Sequence, residues 1–168
     1  MGLLALLIAP AVLVPEKVAS PILTKPAAIA RKENKLIFVS FSASWCGPCK
    51  RMHKVLENPP VAPIWNKYFV DSTVVVDEAK EKAHLNTPGG NELRTQLGGD
   101  KEGIPFWAFL KPDGTVLERS LMKGPGTNIG CPMTKEEIDS FMAKLKTHVP
   151  KMPEAERATI RTAFETAK

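Results

Sequence analysis

Residues 36–50 read LIFVSFSASWCGPCK, and this stretch decides the fold. Leu36 to Phe41 is a short apolar run rich in β-formers, too short for a helix and apolar enough for a central strand. From Cys46 to Glu57 the pattern is helical, with Met52, Val55 and Leu56 on one face, and Pro59-Pro60 ends it. Trp45-Cys46-Gly47-Pro48-Cys49-Lys50 therefore falls where a buried strand gives way to a helix. That placement carries chemistry. The thiolate is the reactive form of cysteine. At a helix amino terminus, unpaired N–H groups and the helix dipole favour an anion, so the pKa of Cys46 is expected to fall. Cys49, one turn deeper, can reach Cys46 to close a disulfide. Pro48 fits the first turn, where its missing N–H costs nothing, and it stiffens the loop between the sulfurs.

Working outward, Pro21 to Glu33 reads as a helix, with Ile22, Leu23, Ala27, Ile29 and Ala30 apolar, and Thr73 to Val76 as a second buried strand. Asn86 to Gly90 is a loop, and Asn91 to Leu97 a short helix closed by Gly98-Gly99. Phe106–Leu110 and Thr115–Arg119 are strands joined by the turn Lys111-Pro-Asp-Gly114. Thr134-Lys-Glu-Glu137 is a capping box opening a helix to about Thr147. Pro153 starts a last helix, with Ile160, Ala163 and Phe164 as its apolar stripe. The order α-β-α-β-α-β-β-α-α calls for an α/β fold, a mixed sheet flanked by helices on both faces.

Length and composition fit one domain: 168 residues, 43% apolar and 24% charged, a globular balance. Three cysteines exclude a disulfide-rich scaffold. No apolar run approaches the roughly 20 residues that span a bilayer. The net charge is +5, but there is no Lys/Arg-rich tract and only one tyrosine, so a stacking platform in a basic groove is absent and nucleic acid is not an expected partner. Leu3 to Val14 is an uncharged apolar stretch of signal-peptide length, although no Lys or Arg precedes it. The expected division is 1–20 as a signal peptide or apolar segment, 21–149 as the main domain and 150–168 as a C-terminal helical extension. Export to the periplasm or beyond, with cleavage near Ser20, is the expectation; a cytoplasmic chain is its alternative.

Phe38-Val-Ser-Phe-Ser-Ala-Ser-Trp-Cys-Gly-Pro-Cys-Lys50 resembles the active-site segment of thioredoxin-like proteins. Gly103-Ile104-Pro105, directly before the Phe106 strand, resembles a second signature of that family, and the Lys111–Gly114 turn with the Gly124 region after it a third. The resemblance covers about residues 18–147, in the family's order. It implies a thioredoxin-like fold and a cis Ile104–Pro105 bond facing the disulfide. It also implies a thiol–disulfide oxidoreductase with Cys46 and Cys49 as catalytic residues and no cofactor. The substrate-contact set is Trp45, Gly47, Pro48, Ile104 and Pro105. Partners are protein disulfides and a membrane or protein electron donor, and the chain is expected to be a monomer. Gly-Pro between the cysteines is similar to the reducing members.

There are departures. Ser40 stands where many thioredoxins have a buried aspartate, Ser42 where an aromatic is expected, and Lys54 where a proline kinks the helix. The stretch Glu78–Gly103 is longer than in a minimal thioredoxin. With the helix after Pro153, it resembles exported or membrane-associated bacterial members. Two alternatives stay open: a non-catalytic binding module using the groove near Pro105, and a metal carrier using Cys46, Cys49 and His53. Of the remaining residues, His53 reads as a helix-surface side chain, His84 and His148 as solvated, Cys131 as inert packing near a surface, and Trp107 as core. Lys50, Arg51 and Lys54 read as a solvated helix face.

Overall fold

The computed structural model describes residues 16–167; the apolar stretch Leu3–Val14 lies outside them. A single 3₁₀ turn, Pro21–Leu23, leads into α1 (Thr24–Glu33), which Asn34 ends in the left-handed conformation. Then follow β1 (Leu36–Ser42), α2 (Gly47–Leu56), α3 (Val61–Tyr68) and β2 (Phe69–Val75). A 3₁₀ segment, Lys80–Leu85, precedes α4 (Gly90–Gln96), β3 (Phe106–Leu110), β4 (Val116–Arg119), α5 (Lys135–His148) and α6 (Glu154–Thr166).

The strands lie in the order β2-β1-β3-β4. β1 and β2 run parallel, from Leu36↔Phe69 to Ser42↔Val75, while β1–β3 and β3–β4 are antiparallel. The mixed sheet and its flanking helices are as expected. α3 is an addition to the expected order. Its Pro63 sits in the first turn, where a missing N–H is tolerated. β2 begins at Phe69 rather than Thr73, because pairing with the whole of β1 recruits four more residues.

Alternation along β1 and β3 splits the core. Phe38, Trp107 and Phe109 face α2, α3, α5 and α6, where Trp65 stacks on Phe69 at 4.1 Å between ring centres and Phe141 bridges Trp107 (5.3 Å) to Phe164 (5.1 Å). Ile37, Val39, Phe41, Phe106, Ala108 and Leu110 face α1 and α4. Because Phe164 belongs to the aromatic cluster, α6 is part of the main core. Glu156 also ties it to α3 through Lys67 and Tyr68.

Before α1, Glu16–Val18 lies along the β3–β4 hairpin. Val18 N–H donates to Gly114 O (3.0 Å), Val116 N–H donates to Glu16 O (2.8 Å), and Lys17 bridges Thr115. Val18 is buried, and at Gly114 (φ +85°) a Cβ would stand 2.2 Å from Val18 O, so only glycine permits this approach.

Candidate active site

β1 delivers the chain to the active-site turn at its carboxyl end. Cys46 is the N-cap of α2: its sulfur lies 3.2 Å from the N–H of Cys49, and its own N–H donates to Ala43 O at 3.0 Å. Pro48 lies in the first turn, as expected. Cys46 and Cys49 form a disulfide with Cα atoms 5.3 Å apart. Both are buried, Cys46 at 2% exposure and Cys49 at 0%, whereas Gly47 and Pro48 over them are exposed. A single turn of helix thus puts the cap position and both sulfurs together, as the local spacing requires.

The turn before Cys46 is held from the loop after β2. Ser44 donates to Glu78 twice, from its N–H (2.5 Å) and from its Oγ (2.7 Å). These two bonds hold the Glu78 carboxyl below the usual glutamate range, with smaller help from Lys82 and His84. Trp45 is exposed, yet its indole N–H donates to Asp77 O at 2.8 Å. Asp77 adopts φ +54° and pairs with Arg94 at 2.5 Å. Nothing in the local pattern pointed to Glu78; its separation of 34 residues from Ser44 hid it.

From the other side comes the loop before β3. The Ile104–Pro105 bond is cis, as is Pro59–Pro60. Ile104 O lies 3.6 Å from Cys46 Sγ, and Ile104 packs on the small cluster of Ala43, Cys46 and Cys49. The segment after β4 braces this loop. Asn128 donates through Nδ2 to Gly103 O (2.6 Å) and Pro105 O (3.1 Å) and accepts from Gly130 N–H (3.1 Å). Trp107, core as expected, donates to Gly130 O at 2.8 Å. A groove of about 480 Å³ runs past Pro48, Ile104, Pro105 and Asn128 to Met133 and Glu137. Sequence reasoning missed Asn128 because its partners are more than twenty residues away.

Other expectations are placed as follows. Ser40 is buried, and Phe41 O lies 4.0 Å from Cys49 Sγ. Cys131 is buried and free, and lies at the wall of the groove past Pro105, near a surface as expected; burial pushes its thiol up to about 11, against a smaller opposing effect of Arg51, which suits packing. His53 accompanies Glu57 at 2.8 Å one turn along α2. Among the described residues no group of three His, Cys, Asp or Glu is assembled for a metal. His84 is exposed, but His148 is half-buried against Glu118 at 3.3 Å, because the end of α5 packs beside β4. Lys50 and Lys54 are solvated, whereas Arg51 is half-buried with Nη1 lacking a partner among the described residues, beside a cavity of about 690 Å³ between α2 and α6.

A family model described as thioredoxin-like matches residues 23–112. Thioredoxin H2-1 of Oryza sativa subsp. japonica is 33% identical over 87 residues, covering 44% of this chain. The chain spans 59% of the length of that curated relative. Among solved structures, a disulphide isomerase from Xylella fastidiosa Temecula1 is similar at TM-score 0.49 and 25% identity, over 81% of this chain and 99% of its own. A thioredoxin from Thermus thermophilus is similar at TM-score 0.43 and 27% identity, over 56% and 68%.

Proposed function

The chain belongs to the thioredoxin-like family, and from that premise we propose that it is a thiol–disulfide oxidoreductase that reduces protein disulfides through Cys46 and Cys49. The observation that carries this reading is Cys46 at the N-cap of α2, in a disulfide with Cys49 and beside Ile104 O. In the reduced protein, the Cys49 N–H and the positive end of α2 favour the Cys46 thiolate. That thiolate attacks one sulfur of a substrate disulfide. A mixed disulfide forms, and the other substrate sulfur leaves as a thiolate and takes up a proton. Cys49, as its thiolate, then attacks Cys46 Sγ. The Cys46–Cys49 bond closes, and the second substrate thiol leaves. Two electrons pass from the dithiol to the substrate, so an external dithiol or membrane donor must reduce the pair again.

The substrate's place is the groove beside Pro48 and Ile104. Ile104 makes no backbone hydrogen bond among the described residues, which leaves its N–H and C=O for an extended segment. Trp45 and Gly47 frame the other side, both exposed. Gly-Pro between the cysteines supports the reducing direction, and the apolar run Leu3–Val14 supports action outside the cytoplasm. The test is turnover of insulin disulfides with dithiothreitol. Acceleration lost in Cys46→Ser and Cys49→Ser supports the reading; no acceleration by the wild type makes the protein a binding module.

A further inference from the structure

α6 is fastened to α3 through Glu156 and to α5 through Arg161 and Phe164. Between α6 and α2 lies the cavity of about 690 Å³, within the range of small-molecule sites. The helical repeat accounts for it. Ile160 and Phe164 of α6 are buried in the core. The neighbouring face, with Ala158, Thr159, Thr162, Ala163, Thr166 and Ala167, lines the cavity, and none of these side chains is larger than threonine. Thr159 Oγ1 donates to Ala155 O (3.0 Å) and Thr166 Oγ1 to Thr162 O (2.8 Å), so both hydroxyls are engaged by α6 itself. On α2 the same repeat places Arg51, Lys54, Val55 and Asn58 along the opposite wall, and the turn Pro59–Val61 continues it. The cavity is therefore a long groove with a low wall of small residues. From Ala158 to Ala167 it follows α6 for about 14 Å.

The charge around this groove has one sign. Arg51 and Lys54 line it, and no Asp or Glu does. The carboxylates closest along the chain are committed elsewhere, Glu57 to His53 and Glu165 to Arg161. Lys54 lies in the last turn of α2, where the helix dipole favours a cation. Arg51 lies in the middle of the helix, so the dipole does not account for it. Its Nη1 is shielded from solvent and has no acceptor among the described residues. A buried N–H without an acceptor is costly, and on a guanidinium more so. The guanidinium is also the side chain whose planar fork matches a carboxylate.

We propose that the groove between α2 and α6 is a binding site for a small carboxylate with an unbranched apolar chain. The carboxylate accepts from Arg51 and Lys54, and the chain lies along Val55, Val61, Ala158 and Ala163. Charge complementarity selects the head, and the narrow apolar course between two helices selects a chain over a broad ring system. The inference is independent of the redox reading, since binding is measured without turnover.

Isothermal titration calorimetry of the full chain with sodium decanoate, kept below its micelle concentration, tests it. Saturable binding at one site is expected, with a rise in the melting temperature as decanoate saturates. Decanol, which keeps the chain and lacks the charge, should bind roughly tenfold more weakly or worse. Arg51→Gln/Lys54→Gln should lose a similar factor at unchanged near-UV circular dichroism. Thr162→Leu, at an exposed helix position, should also lose it by filling the groove with both cations in place, whereas Thr162→Ser should bind as the wild type does. Absence of saturable binding, equal binding of decanol, or undiminished binding by the double variant and Thr162→Leu would each overturn the proposal. So would self-association of the wild type that Thr162→Leu abolishes, which would give the groove to a second copy of the chain.

Discussion

Glu78 grips Ser44 with both carboxylate oxygens, across 34 residues of sequence, one residue before the tryptophan that precedes the redox pair. The loop after β2 therefore sets the entry angle of α2. Since hydrogen bonds from Ser44 hold the Glu78 carboxyl below its usual range, the ionised form is favoured by folding. The stabilisation is fully present above about pH 4.3, the ordinary glutamate value, and is lost as pH falls through the lower folded value. Urea melts should show Glu78→Gln to be less stable than the wild type at neutral pH, with the gap narrowing below pH ~4. An equal gap at all pH values refutes the carboxylate's role.

Cys46 caps α2 while Cys49 sits inside it. Alkylation of the reduced protein at mildly acidic pH should therefore modify Cys46 first, as peptide mass mapping will report. Cys49→Ser should accumulate mixed disulfides with substrates, because nothing resolves them. Preferential modification of Cys49 would reverse the two roles.

Gly130 holds φ +54° against the substrate loop, and a Cβ there would lie 3.4 Å from Pro105 O and 3.5 Å from Pro105 Cδ. Gly130→Ala should cost about 1 kcal/mol or more in stability, from the left-handed backbone and the contact together. Asn128→Ala should cost about 1 kcal/mol through its lost hydrogen bonds. Both should raise KM for insulin more than they lower kcat, because they act on the loop that frames the groove. Unchanged KM in both variants would detach the brace from substrate binding.

Phe164 on α6 is 2% exposed and meets Phe141 edge-on. Phe164→Ala should destabilise the protein by about 3–5 kcal/mol in urea. A loss under about 1 kcal/mol would make α6 an appendage, as the division at residue 150 implied, rather than a wall of the core.

The short-range features were legible in the sequence. The strand–turn–helix around Cys46, the Thr134 capping box with Glu137, and the Lys111–Gly114 turn all depend on residues within a few positions of each other, so composition and spacing reveal them. α3 was not legible: VAPIWNKY carries a proline, has no side-chain cap and is only eight residues long, and its helix is held by Trp65 packing against Phe38 and Phe69. Glu78 on Ser44, Asn128 on the Pro105 loop, and Glu16–Val18 on the hairpin join residues 23 to 100 positions apart. A pattern read along the chain carries the hydrophobic period and the local hydrogen bonds. Which distant polar groups meet is decided only when β1 pairs with β2 and β3, because that register brings the three loops to one end of the sheet.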